Sequence, residues 1–181
     1  MSFVYCACYC EENVWHLCHH ELVADKEAFA VFISNERRAC PMFCQRAAAS
    51  PGEPVWWDYH VILLAGDGAA WQVWDLDSMM GMPAGVDEYL RQTFPFSTQV
   101  DAVFAPEFRV ISRDKFVARF SSDRSHMKDK NGNWLAPPPD WPTIQSSNPI
   151  TLAEFLDYSS KTTTPFISLG DLKAKFAAST T

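Results

Sequence analysis

Apolar positions along this chain recur at two periods, and they predict a set of short helices and strands. In residues 11–22, Val14, Leu17, Cys18 and Leu22 fall at helical spacing. Glu11 and Glu12 stand in the first turn of that helix, where negative charge suits the dipole. Cys10 therefore lies at or just before a helix N-terminus. Residues 28–34 (AFAVFIS) are apolar and rich in branched and aromatic side chains, so periodicity leaves a strand and a helix end both open. Residues 55–65 (VWWDYHVILLA) and 70–76 (AWQVWDL) have strand composition, and Gly66-Asp67-Gly68 between them supplies the turn of a hairpin. A turn centred near Asp67 would set residue 60 opposite residue 75. A further strand is predicted at 108–112 and a short helix at 114–120. Residues 121–142 are polar and rich in Pro and Gly, a loop of a length that is often functional. Residues 151–158 and 168–176 read as two short helices, with Ser168 and Asp171 as candidate N-terminal caps of the second. These elements describe one α+β domain over 1–181, an antiparallel sheet flanked by helices, without internal repeat or domain boundary.

Composition narrows the function classes. Hydrophobic residues make up 48% of the 181 positions and charged residues 20%, a globular balance and not a disordered one. The formal net charge of −7 argues against a nucleic-acid footprint, which needs clustered Lys and Arg. It mildly favours a substrate that carries positive charge. Without an apolar run of membrane-span length and without a leader-like start in MSFVYCACYC, the protein is expected in the cytosol, with a size that permits entry to the nucleus. The six cysteines (Cys6, Cys8, Cys10, Cys18, Cys40 and Cys44) are then expected as free thiols.

A nucleophilic cysteine needs a base to take its proton and a group to orient that base. Cys10 is placed for this by its helix start, which favours a thiolate and lowers the thiol pKa. Across the hairpin, His60 supplies a base and Asp75 an acceptor that fixes its tautomer. A Cys on a helix with His and Asp on adjacent strands is the arrangement of papain-like and transglutaminase-like enzymes. Asp77 competes with Asp75, two residues along the same predicted strand and facing the same side. His126 competes as base from a charged, loop-like segment. A metal cluster of Cys6, Cys8 and Cys10 with His16, His19 and His20 is the bland rival, but alternating Cys-x-Cys lacks the usual zinc spacing. His19 and His20 read as exposed helix residues, and Trp57 and Trp134 as core residues or pocket walls.

Several blocks carry a resemblance. Residues 8–15 (CYCEENVW), 32–37 (FISNER), 57–64 (WDYHVILL), Asp75-Leu76-Asp77, 108–111 (FRVI) and 122–129 (SDRSHMKD), followed by Gly132-Asn133-Trp134 and Pro137-Pro138-Pro139, resemble the eukaryotic protein N-terminal glutamine amidohydrolase family. The blocks keep the family's order over residues 5–176, more weakly after Asn148. The resemblance implies a monomeric hydrolase that converts the N-terminal Gln of proteins or peptides to Glu with release of ammonia, in the glutamine branch of the N-degron pathway. It implies a catalytic triad of Cys10, His60 and Asp75, and so favours Asp75 over Asp77. It implies no metal and no cofactor. Selectivity for a chain terminus calls for a receptor of the α-ammonium, and Glu12, Glu36 and Asp58 are the candidate substrate-binding acids within the blocks. A papain-like protease, a transglutaminase-like enzyme, a metal-binding module and a noncatalytic adaptor are the competing readings.

Overall fold

The computed structural model describes residues 2–96 and 99–176. Its centre is an antiparallel six-stranded sheet. The two middle strands are β1 (Glu27–Ser34) and the fully buried β4 (His60–Gly66), separated in sequence by the small hairpin pair β2 (Cys40–Met42) and β3 (Val55–Trp57). β5 (Trp71–Trp74) and β6 (Ala84–Gly85) extend the sheet beyond β4. β7 (Glu107–Ser112) lies on the other side of β1, and after the short parallel pair β8 (Phe120–Ser121) and β9 (Ile150–Thr151), β10 (Ile167–Ser168) closes that edge.

Successive side chains of a strand point to opposite faces, so a strand buried on both sides splits its residues between two cores. Ala30 and Phe32 of β1 and Val61, Leu63 and Ala65 of β4 belong to one core with Val14, Leu17, Phe116 and Phe155. Those last four come from α1 (Cys10–Leu17), α3 (Arg113–Arg119) and α4 (Leu152–Leu156). Val31, Ile33, Ile62 and Leu64 face the other way, against Tyr89, Leu90, Leu172 and Phe176 of α2 (Val86–Thr93) and α5 (Leu169–Phe176). The antiparallel sheet flanked by helices is therefore as expected, and residues 28–34 resolve as strand. No helix among the described residues is long and apolar enough to cross a membrane. All six cysteines are free.

Several expectations change in detail. The predicted strand at 55–65 is broken at Asp58 and Tyr59 into β3 and β4, which belong to different sheets. The helix expected at 11–22 ends at Leu17, and His20 caps a separate single turn by accepting the Leu22 N–H at 3.2 Å. The hairpin turn is longer than assumed. Gly66 pairs with Trp71, which leaves residues 67–70 as the loop and moves its centre away from Asp67. Asp67 Oδ1 accepts the N–H groups of Ala69 and Ala70 at 3.0 and 3.1 Å, and Gly68 takes the left-handed φ of +87°. The register is accordingly shifted by two: Leu63 pairs with Trp74, so continuing the ladder would set residue 60 opposite 77 rather than 75.

The long segment 121–142 is held down, not loose. Arg124 is only 6% exposed and has a left-handed backbone, and its guanidinium meets both oxygens of the fully buried Glu12 of α1, Nε to Oε1 at 2.9 Å and Nη2 to Oε2 at 2.8 Å. Trp141 Nε1 adds a hydrogen bond to Glu12 Oε2 at 2.7 Å, and Arg124 also donates to the carbonyls of Pro139 and Trp141. Removing one partner of such a pair strands a buried charge. Arg124→Ala is expected to lower the free energy of unfolding by about 3–5 kcal/mol in urea titrations, whereas a loss below about 1 kcal/mol would match an exposed pair instead.

Candidate active site

His60 opens β4 and is fully buried. Its Nε2 lies 2.9 Å from Oδ1 of Asp75, the residue just past the end of β5. Because Leu64 pairs with Val73, residues 60, 62 and 64 share a sheet face with 73 and 75, and His60 reaches Asp75 along the diagonal of the ladder. Neither Asp75 nor Asp77 is in the strand predicted to hold them. The chain turns after Trp74, and Asp75 Oδ1 also accepts the Asp77 N–H at 3.0 Å. Asp75 Oδ2 accepts the Tyr89 hydroxyl of α2 at 2.8 Å and the Gln45 amide at 3.4 Å. Trp57 stacks on the His60 ring at 5.2 Å between centroids. The imidazole is thus fixed at Nε2 and on one face, while its buried Nδ1 has no hydrogen-bond partner among the described residues.

Burial on its own would raise the Asp75 carboxyl, but the charge and hydrogen bond of His60, with the Tyr89 hydroxyl, hold it below the ordinary range. For His60 burial works against the charged form and is outweighed by the Asp75 charge and hydrogen bond, so its pKa is raised.

Cys10 is the first residue of α1, which packs on β4, and it is 5% exposed. The backbone N–H of Val61, next to His60, is near enough to its sulfur to favour the thiolate. The expectation of a lowered thiol pKa is corrected. Burial, followed by the negative groups Glu11, Asp77 and Asp75, pushes the thiol well above its ordinary value against the Val61 N–H. A helix start is too weak a source of positive potential to overcome removal from water beside so many acids.

A second polar cluster adjoins the sulfur. Glu11, read from sequence as a first-turn charge that suits the helix dipole, is fully buried. Its Oε2 accepts the Tyr59 hydroxyl at 2.9 Å and lies 3.7 Å from Cys10 Sγ. His126 Nε2 stands 3.2 Å from the Tyr59 hydroxyl and 3.4 Å from Glu11 Oε1. His126, an alternative base on sequence, thus belongs to the Glu11–Tyr59 cluster, not to Asp75. Burial pushes its pKa down and that of Glu11 up to about 7.

Cys10, Cys8, Trp57, Tyr59, Asp77 and His126 line a cleft of about 360 Å³. Of the three acids considered for the α-ammonium, Asp58 lines this cleft, with its Oδ1 accepting the Tyr59 N–H at 2.9 Å. Glu12 is taken up by Arg124 and Trp141, and Glu36 lines a different hollow with Arg37 and Glu107. Trp134 is exposed under Lys128 and is not in the cleft wall. The cysteine–histidine metal set does not assemble among the described residues. The group with metal-ligand spacing is His60, Asp75 and Asp77, whose ligand atoms lie within 4.8 Å of one another. A cation there would have to compete with four hydrogen bonds already made to Asp75. Sequence reading missed Tyr89 and Gln45. Val86, Tyr89, Leu90 and Thr93, all buried, do fall at helical spacing and could have revealed α2; Gln45 offers no local signal.

Glu11 gives this site a pH-dependent stability. A carboxyl raised in the folded state stabilises the fold fully below its ordinary 4.5 and loses that contribution as pH climbs to about 7. Glu11→Gln removes the slope, so in urea titrations the variant should gain on the parent by roughly 2–3 kcal/mol between about pH 5 and about pH 8. A difference that does not change with pH would contradict the burial of an ionising Glu11.

Comparison with known proteins shows which family the chain belongs to. A profile of the N-terminal glutamine amidase family matches residues 5–176. The Homo sapiens protein N-terminal glutamine amidohydrolase is 42% identical over 164 residues, covering 87% of this chain and 80% of its own. The Caenorhabditis elegans protein of that name is 42% identical over 159 residues, covering 86% and 85%, and the Bos taurus one 43% over 150 residues, covering 80% and 72%. With a profile spanning nearly the whole chain and relatives at this identity, the protein belongs to the N-terminal glutamine amidase family.

Proposed function

We propose that the protein deamidates N-terminal glutamine of proteins and peptides to glutamate, with Cys10 as nucleophile, His60 as general acid–base and Asp75 as the residue that orients it. The observation that carries the reading is the orphaned Nδ1 of His60. Nε2 is tied to Asp75, so Nδ1 is the ring nitrogen left to take a proton, and α1, which Cys10 heads, packs on the strand that His60 opens. A Cys heading a helix, with His at the start of one strand and Asp just past the end of its neighbour, supports a papain-like or transglutaminase-like reading.

The thiol gives its proton to His60 as Sγ attacks the side-chain carbonyl carbon. The oxyanion is met by the Cys10 N–H, which as the first helical N–H has no intrahelical acceptor. The C–N bond then breaks, and the imidazolium proton leaves with the amine as ammonia. Water, deprotonated by His60, hydrolyses the thioester, releasing Glu and restoring the thiol. No metal or cofactor enters these steps. The raised thiol pKa means that the proton moves during attack rather than from a standing ion pair. The protein acts in this reading as a monomer in the cytosol and nucleus, and the new N-terminal Glu is a substrate for arginine transfer and degradation.

A metal-dependent hydrolase is a second reading, favoured by the spacing of His60, Asp75 and Asp77. Both readings meet in one assay. Ammonia release should occur from a Gln-initiated peptide, not from its N-acetylated or Asn-initiated counterparts, and should persist in excess chelator. Cys10→Ala should lower it at least about a thousandfold with the melting temperature retained. Equal release from all three peptides, or loss on chelation with Cys10→Ala still active, would overturn the proposal.

A further inference from the structure

The cleft beside Cys10 holds a carboxylate that the triad does not use. Asp77 is 7% exposed and lines the cleft wall together with Cys10. Its Oδ1 accepts the Tyr5 hydroxyl at 2.6 Å. Its other oxygen accepts no hydrogen bond among the described residues and is not among the enclosed polar atoms. The backbone on both sides is fixed, since the Asp77 N–H goes to Asp75 at 3.0 Å and its carbonyl accepts the Arg46 N–H at 2.8 Å. Arg38 also borders the cleft, but its guanidinium is turned to the Leu156 carbonyl at 3.1 Å. No ion pair among the described residues neutralises Asp77.

We infer that Asp77 is the receptor for the α-ammonium of the substrate and so sets the requirement for a free N-terminus. This rests on the deamidation reading above and deepens it. A nearly buried anion in a cleft wall, with one oxygen free, is stabilised by a cation, and substrate selection by charge needs an acid that no protein cation has already satisfied. Distance agrees. The Asp77 carboxylate lies within 4.8 Å of a His60 ring nitrogen. In glutamine four bonds separate the amide carbon from the α-nitrogen, a reach of about 5 Å when extended. The rival acids fit less well: Glu12 is already saturated by Arg124 and Trp141, Glu36 lies in another hollow, and Asp58 is solvent-exposed. Tyr5 acts as a positioning residue that holds Asp77 by one oxygen and leaves the other for the ligand.

The test reads binding apart from ammonia release, so it stands whether or not the deamidation reading does. Cys10→Ala protein is titrated by calorimetry with a Gln-initiated peptide and with its des-amino analogue, which keeps the side-chain amide and lacks the α-amine. The free-amine peptide should bind at least about thirtyfold tighter, as truncating one side of a desolvated charge pair requires. Adding Asp77→Asn, which preserves size and the acceptor for Tyr5, should bring the two affinities within about threefold, and Asp77→Ser should do the same. Asp58→Asn should retain most of the discrimination. Melting curves confirm that each variant is folded. In the Cys10→Ala protein alone, affinity for the free-amine peptide should also fall as pH passes the α-amine pKa of about 7.7–8, without such a fall for the analogue. Discrimination that survives both Asp77 substitutions, weakens equally for both peptides, or disappears in Asp58→Asn instead would overturn the assignment.

Discussion

The site is organised by one buried hydrogen bond, His60 Nε2 to Asp75 Oδ1. An imidazole and a carboxylate in the dry interior are each costly alone and tolerable only when every polar atom is engaged. The surroundings can be understood as meeting that demand. α2 brings the Tyr89 hydroxyl, the loop after β2 brings Gln45, and the turn after β5 brings the Asp77 N–H, all to Asp75. Trp57 covers one face of the ring. His60 Nδ1 is left without a partner among the described residues, as are Gln45 Oε1 and Trp57 Nε1 beside it, and of these three only the imidazole nitrogen can take up a proton near neutral pH.

The same constraint bears on Cys10, the proposed nucleophile. Cys10 sits among Glu11, Asp77 and Asp75, so a standing thiolate would be a further negative charge in a region already short of positive ones. Burial and these acids favour the thiol over the thiolate, and burial likewise raises Glu11 to about 7 beside Tyr59 and His126. An acidic interior of this kind hinders a resting ion pair. It also leaves a negative potential in the cleft that suits a ligand arriving with an α-ammonium.

The sequence made much of this legible, unevenly. Strands β4, β5 and β7 and the helices α1, α3, α4 and α5 are legible from local composition and spacing, whereas the apolar run of β1 leaves strand and helix end both open. The proximity of His60 and Asp75 was expected from a hairpin, yet for a register two residues off, since the loop spans 67–70 and the contact is diagonal. Long-range pairings were out of reach. Glu12 with Arg124, Glu11 with His126 and Asp75 with Tyr89 join segments far apart in the chain, and nothing local in a glutamate says whether it will face water or an arginine. Glu11 and Glu12 read as first-turn charges that suit a helix dipole, and both are fully buried.

The central claim is that Cys10 rests as a thiol and is activated through His60. It is tested most directly by the pH dependence of Cys10 alkylation, followed by mass spectrometry of the peptide that carries Cys10. The account predicts reactivity that is low in acid and rises only above the ordinary imidazole value of 6.5, with the rise displaced in His60→Asn. A rate already at its plateau near about pH 5, the mark of a thiolate paired with imidazolium, would contradict it.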